Sequence, residues 1–285
     1  MGVVNVTPDS FSDGGRFLDP ELAVKHGRQL VAEGADLVDV GGESTRPGAV
    51  RISTTEELDR VLPVVSTLAA EGVQVSIDTM RAEVAEQAVA AGAVLVNDVS
   101  GGRADAEMFG TVARLGVAYV LMHWRAHSAT MMQHSEYDDL VGEVVDEIEA
   151  QLDAATGAGI DATRIAVDPG IGFSKTAEQN WAVLAASDRL HGLGHPVLVA
   201  TSRKNFLGVL LARDGTLRPP LGREDATTAT SALAAVAGAW CVRTHAVRPS
   251  ADAVRAARAW ALGAAYGVGN DGRGGGGRSE RGGGD

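Results

Sequence analysis

Two sets of side chains in this sequence have the types and spacing to do chemistry. Asp78, Asn97, Asp168 and Lys204 are hydrogen-bonding groups suited to a flat, nitrogen-rich heterocycle. A carboxylate accepts paired N–H bonds, and an amide both donates and accepts. Asn5, Thr45, Arg46, Arg243 and His245 form the second set, donors or metal ligands suited to a polyphosphate. No Ser-His-Asp order and no Cys-His pair stands out, which disfavours covalent catalysis. His123 and His127 lack a third ligand at metal spacing and are read as ordinary loop residues. From the residues alone, the chemistry is that of an enzyme for a heterocycle carrying phosphate.

These side chains need a scaffold, and the sequence describes one. Val73–Thr79 is a run of β-branched residues that ends on Asp78. The pattern recurs at Val94–Asp98, which ends on Asn97-Asp98, and at Ile165–Gly170, which ends on Asp168-Pro169-Gly170. Strands apolar throughout need cover on both faces, which predicts a parallel sheet with helices outside. Such α/β folds build their sites at the C-terminal strand ends. Further strands are expected at Gly2–Thr7, Leu37–Gly41, Val117–Met122, Pro196–Thr201 and Cys241–His245. In the last, Arg243 and His245 share a face by the two-residue period.

Helices are expected between the strands. One opens at Asp19-Pro20 and runs to about Glu33. The next is capped by Thr54-Thr55-Glu56-Glu57 and ends near Gly72. Others span Arg81–Ala91, Asp105–Leu115, Asp138–Ala155, Gln179–Leu190, Asp225–Ala239 and Ser250–Ala264. Eight strands alternating with eight helices give an α/β fold of (β/α)8 TIM-barrel type. Ala126–Glu136 has no legible period, and Asp214–Glu224 reads as a polar excursion. The loop Pro8–Gly15, with two acids and Phe11, is either a mobile lid or an ordinary surface loop. Arg203 and Lys204 at one strand end are the clearest anion signal in an acidic chain.

At 285 residues the chain has room for one barrel, typically ~250 residues, and no linker divides it. Residues 1–266 are assigned to the barrel and 267–285 to a disordered tail, in which ten of nineteen residues are glycine. The net charge of −12 disfavours nucleic acid and anionic membranes as partners, so an anionic substrate needs a local basic pocket. All but three of the 25 basic residues are arginine; the lysines are Lys25, Lys175 and Lys204. A single cysteine, Cys241, excludes an internal disulfide and fits a reducing compartment. With no long apolar run and no signal-peptide pattern, the expected location is the cytoplasm.

The longer motifs sharpen this reading. Asn5-Val6-Thr7-Pro8-Asp9-Ser10-Phe11-Ser12-Asp13-Gly14-Gly15 resembles the first signature of the dihydropteroate synthases, the sulfonamide targets of folate synthesis. Gly41-Gly42-Glu43-Ser44-Thr45-Arg46-Pro47-Gly48 resembles the second. Ser76–Thr79, Val96–Asp98, Asp168–Phe173, Ser202–Lys204 and Arg243–His245 follow in the family's order, and the match covers about residues 1 to 265. The resemblance looks closest to actinobacterial members. It implies condensation of 6-hydroxymethyl-7,8-dihydropterin diphosphate with 4-aminobenzoate, giving 7,8-dihydropteroate and diphosphate.

By the same resemblance, Asp78, Asn97, Asp168 and Lys204 hold the pterin, with Asp168, Lys204 and Asp78 closest to the catalysis. Thr45, Arg46, Arg243 and His245 handle the diphosphate, and Asn5 binds Mg²⁺. Asp9 and Asp13 come near the metal, and Phe11 and Pro47 near the aminobenzoate. The resemblance also implies a homodimer. The sequence departs from many members at Asn205, where they carry serine. It also begins directly at strand one, without the family's usual N-terminal segment.

Overall fold

The structure, a computed structural model, describes residues 1–7, 20–44 and 51–268, the last five by their backbone alone. Six short parallel strands run side by side in chain order: β1 (Gly2–Asn5), β2 (Val38–Gly41), β3 (Val75–Asp78), β4 (Leu95–Asp98), β5 (Ala118–Met122) and β6 (Ile165–Asp168). β7 (Leu198–Val199) and β8 (Cys241–Val242) form a parallel pair. A bridge from Val167 to Val197 joins β6 to β7, and one from Gly2 to Thr244 joins the end of β8 to β1. The Val3 N–H donates to Thr244 O at 3.1 Å, and Thr244 N–H to Met1 O at 3.0 Å. These links close the ring. The expected barrel is the observed fold, and closure removes the exposed strand edges.

Register decides which side chains face inward. Val4, Val40, Ile77, Val96, Tyr119 and Ile165 are mutually paired across β1 to β6 and belong to the main core under the helices. The next belt pairs Asn5, Gly41, Asp78, Asn97, Val120 and Ala166. Its Val120 and Ala166 pack with Met1, Leu95, Leu198 and Ala200 in the barrel interior. By the period of two, Asp78 and Asn97 therefore face inward. Asp98 pairs with Leu121, on the outward set.

The helices return the chain around the outside. α1 (Pro20–Ala32), α2 (Thr54–Ala70), α3 (Ala82–Ala90) and α4 (Met108–Leu115) cover the first four strands, and α5 (Leu140–Gly157) the fifth. The cap of α2 is Ser53, not the Thr54-Thr55 pair: its hydroxyl accepts the Glu56 N–H at 3.2 Å. The cap oxygen must come from the residue before the first helical turn. The expected Asp19 cap of α1 lies outside the described residues, as do the Pro8–Gly15 loop and the tail from residue 269.

Later in the chain the structure departs further from expectation. The single helix expected at Gln179–Leu190 is two, α6 (Ala177–Ala185) and α7 (Ser187–His191). α6 starts early because Thr176 and Gln179 form a reciprocal capping box. An unexpected short helix, α8 (Asn205–Leu210), follows Lys204 and packs Phe206 edge-on against Trp181, centroids 4.8 Å apart. α9 (Glu224–Val236) precedes β8, and α10 (Val247–Val268) runs two residues past the domain end assigned at 266. Met131–His134 and Pro220–Arg223 form single 3₁₀ turns within the two stretches that lacked a helical period.

Candidate active site

The C-terminal end of the barrel gathers the inward polar residues around one guanidinium. Arg243, just past β8, donates from Nη2 to Asp78 Oδ2 and from Nε to Asp39 Oδ2, both at 2.6 Å. Asp39 Oδ2 also accepts from Asn97 Nδ2 at 3.0 Å. Arg243 thus ties the end of β8 to β2 and β3. Gly41 lies between Asn5 and Asp78 in the belt, and a Cβ there would come within 3.3 Å of the Asp78 Cβ. A larger residue would crowd the carboxylate.

Asp168 closes β6, buried, with Oδ1 accepting the Gly170 N–H at 2.7 Å. Gly170 is in the left-handed region at φ 66°, and a Cβ there would sit 2.2 Å from His123 O, so glycine is required. Lys204 packs along the same loop, beside Gly172. Its Nζ donates to Ile171 O and lies 5.1 Å from the Phe173 ring centre.

Burial moves the charges of this site toward neutrality. It raises the Asp168 carboxyl, with Lys204 and the Gly170 amide pulling the other way. It lowers the Lys204 ammonium to about 8, with Asp168 opposing. Asp78 is raised by burial against the pull of Arg243, and the nearby Asp39, Glu57 and Asp98 charges add to the rise. Arg243, which Asp78 shares with Asp39, does not fully offset the burial of Asp78.

Of the residues expected from sequence, Asp78, Asn97, Asp168, Lys204 and Arg243 converge here. His245 lies beside them, its Nδ1 2.9 Å from Ser202 Oγ. The Asn5 carboxamide is half-buried in the same inward belt and makes no hydrogen bond among the described residues. Thr45, Arg46, Pro47 and Phe11, with Asp9 and Asp13, lie outside the described residues. Arg203 does not join Lys204 as the anion signal suggested. At φ 60° it turns away and pairs with Glu224 on α9.

Three groups escaped the sequence reading. Asp39 sits in mid-strand, where only register shows it to face Arg243. Lys175 is buried with Nζ 2.9 Å from His123 Nδ1. Arg81 donates to Glu43 Oε2 at 2.7 Å and to Ile52 O at 2.6 Å, on either side of residues 45–50. The signal for Lys175 was its rarity, since it is one of three lysines.

No three His, Cys, Asp or Glu side chains converge as a metal cage among the described residues. The donor chemistry nonetheless fits Mg²⁺. This ion keeps several waters and takes one or two protein oxygens plus substrate phosphates. Asn5, in the same inward belt as Asp78, is the residue that would hold it, through its amide oxygen.

The chain as a whole is similar to known proteins. The model of the pterin binding enzyme family matches residues 1–245. The chain belongs to that family. It is 56% identical to the dihydropteroate synthase of Mycobacterium leprae over 262 residues, covering 91% of this chain and 92% of the relative. A Xanthomonas albilineans dihydropteroate synthase solved with 4-aminobenzoic acid superposes with a TM-score of 0.84 at 44% identity, covering 93% and 92% of the two chains. The Yersinia pestis enzyme, solved in a sulfonamide drug complex, gives 0.86 at 37%, covering 92% and 94%. With these solved enzymes the chain shares the TIM-barrel fold.

Proposed function

We propose that this pterin-binding enzyme is a dihydropteroate synthase, a transferase of folate biosynthesis that joins 6-hydroxymethyl-7,8-dihydropterin diphosphate to 4-aminobenzoate. The observation that carries the reading is the convergence of Asp78, Asn97, Asp168 and Lys204 beside Arg243. A pterin ring presents a row of N–H donors and acceptors, which two carboxylates, an amide and an ammonium can match in one plane. Arg243 and His245, with Thr45 and Arg46, take the diphosphate.

In this assignment the bond from the pterin methylene to the diphosphate oxygen breaks first, leaving a cationic methylene. Asp168 supplies the main opposing charge, fixed in place by the Gly170 N–H before the reaction starts. Lys204 holds the ring against the β6 loop. The aminobenzoate amine forms the new C–N bond and then loses its proton. This step needs positioning more than a strong base. The family resemblance assigns Phe11 and Pro47 to the aminobenzoate, and also the position of Asn205, which is exposed at the start of α8. Mg²⁺, held through Asn5 and the diphosphate oxygens, would neutralise charge on the leaving group.

The protein is assigned to the cytoplasm as a homodimer. Exposed Leu233, Val236, Trp240, Trp260 and Leu262 on and around the packed pair α9 and α10 support a second copy as the partner. Among the described residues no helix is long and apolar enough to cross a membrane.

The deciding assay is product formation from both substrates, with and without Mg²⁺, and with a sulfonamide competing for the aminobenzoate site. Turnover that requires Mg²⁺ and falls with sulfonamide is expected. Asp168→Ala and Lys204→Ala should each lower turnover at least ~100-fold with the fold intact. Near-wild-type turnover in either variant would overturn its role.

A further inference from the structure

We propose that Asp39 is a positioning residue which fixes the orientation of both Asn97 and Arg243, and so couples the heterocycle side of the site to its diphosphate side. The proposal rests on the synthase reading above and adds a residue to it.

Asp39 lies in the middle of β2, with no solvent exposure. It pairs in register with Val3 and Ser76 and sits one inward layer below the Asn5–Asp78–Asn97 belt. A ligand at the strand ends therefore does not reach it. Folding alone gives no reason for a carboxylate here, because the inward neighbours in this layer include Leu95. Its Oδ1 is sealed from solvent and unpaired, as is Oγ of Ser76 on the adjacent strand. Each such buried, unsatisfied atom costs stability. A charge kept at that cost calls for another use.

The other oxygen shows the use. A carboxylate can only accept, so the group that Asn97 turns toward Asp39 must be its NH₂. That settles the amide orientation without reference to hydrogen positions. It leaves Asn97 Oδ1 uncommitted, as an acceptor for a ligand N–H. Arg243 is fixed by the same atom. With Nε on Asp39 and Nη2 on Asp78, only Nη1 makes no hydrogen bond among the described residues. One buried oxygen thus chooses which atom of each neighbour remains for substrate. An asparagine at position 39 keeps the shape but loses the choice. Its amide can present either end, and Asp78 is left as the one charged partner of the guanidinium.

The test uses the full chain, with Asp39→Asn as the main variant and Asp39→Ala beside it. Three readouts are taken: kcat/KM for the dihydropterin diphosphate, KM for 4-aminobenzoate, and Kd for 6-hydroxymethyl-7,8-dihydropterin without the diphosphate. Asp39→Asn should lower kcat/KM for the diphosphate substrate by roughly ten- to a hundredfold, the scale of a small misplacement of contact groups. The aminobenzoate KM should move less than about threefold, since neither positioned residue is assigned to that substrate.

The Kd of the free pterin should rise in Asp39→Asn. In an Asn97→Ala background the same substitution should change it by less than about twofold, because coupled residues are not additive. Wild-type kcat/KM in Asp39→Asn would overturn the proposal. An equal loss for both substrates that persists undiminished in the Asn97→Ala background would also overturn it, marking a purely structural residue. If Asp39→Ala fails to fold, Asp39→Asn still decides. No turnover in the wild type would instead sink the synthase reading.

Discussion

Lys175 Nζ lies 2.9 Å from Nδ1 of His123, and the opposite ring nitrogen of His123 lies 3.0 Å from Glu147 Oε2. Glu147 is ionised and can only accept, so His123 donates to it from Nε2, and the remaining ring nitrogen, Nδ1, accepts from Lys175. The imidazole is neutral. Burial and the neighbouring Lys175 charge lower its pKa to about 4. Burial would raise Glu147, but hydrogen bonds from His123 and Arg125 overcome it and hold that carboxyl at about 2.

A pH dependence of stability follows from His123. In the unfolded chain histidine titrates near 6.5, whereas in the folded chain His123 titrates near 4. Between these values the unfolded state binds more protons, so His123 costs stability as pH falls through that window. At pH 5 the loss is about 2 kcal/mol relative to pH 7. The raised carboxyls Asp78 and Asp168 act in the opposite sense, so the measurement is a difference. Urea unfolding of wild type and His123→Gln at pH 7 and pH 5 should show a shallower acid loss in the variant. Equal acid losses would show that His123 titrates normally.

Ser174 occupies the left-handed region at φ 47°, with its hydroxyl sealed and unpaired. A residue with a Cβ pays about 1–2 kcal/mol there. The Tyr137 hydroxyl bonds only the Ser174 carbonyl, at 3.0 Å, so the Ser174 side chain is dispensable for that contact. Ser174→Gly should therefore stabilise the protein by about 1 kcal/mol after the greater chain entropy of glycine is deducted. A lowered melting temperature would refute this.

Arg81 binds Glu43, Glu57 and Ile52 O, while Glu57 also accepts from the Thr79 hydroxyl at 2.7 Å. Arg81→Ala would leave Glu57 buried without its cation, at a cost of about 3 kcal/mol in denaturant unfolding. Arg81→Lys should recover part of that, because one ammonium cannot span the carboxylates and the Ile52 carbonyl together. A neutral Arg81→Ala would mean that the pair contributes no net stability.

Asp98 and Asn97 are adjacent, yet they should respond oppositely to substitution. Asp98 accepts from Ser100 N at 2.8 Å and from Ser100 Oγ, Gly102 N and Tyr119 Oη at 2.7 Å. Asp98→Ala strands these donors and should cost about 3 kcal/mol of stability. Asn97→Ala should weaken pterin binding with a smaller effect on unfolding. Binding titrations and unfolding curves on both variants separate the two roles. A binding defect in folded Asp98→Ala would place it in the site.

The sequence by itself determined the barrel and most of its strand-end chemistry. Apolar runs ending on Asp78, Asn97 and Asp168 carry a strand and its terminal polar group in one local pattern, and local patterns survive without three-dimensional information. The long motifs around Asn5 and Gly41 added the family. Helix ends were less legible, since Ser53 and Thr54, or Thr176 and Gln179, compete for a boundary on small energy differences.

Only the tertiary structure decided which polar residue faces which way. Asn97 looks into the barrel and Asp98 out because strand pairing sets the alternation, a choice the dipeptide leaves open. Arg203 and Lys204 part company because a left-handed residue turns one toward α9 and leaves the other at the site. Asp39 and Arg243 lie 204 positions apart in the chain, and closure of the ring brings them within 2.6 Å. Such contacts arise from how distant segments pack, and no local spacing records them.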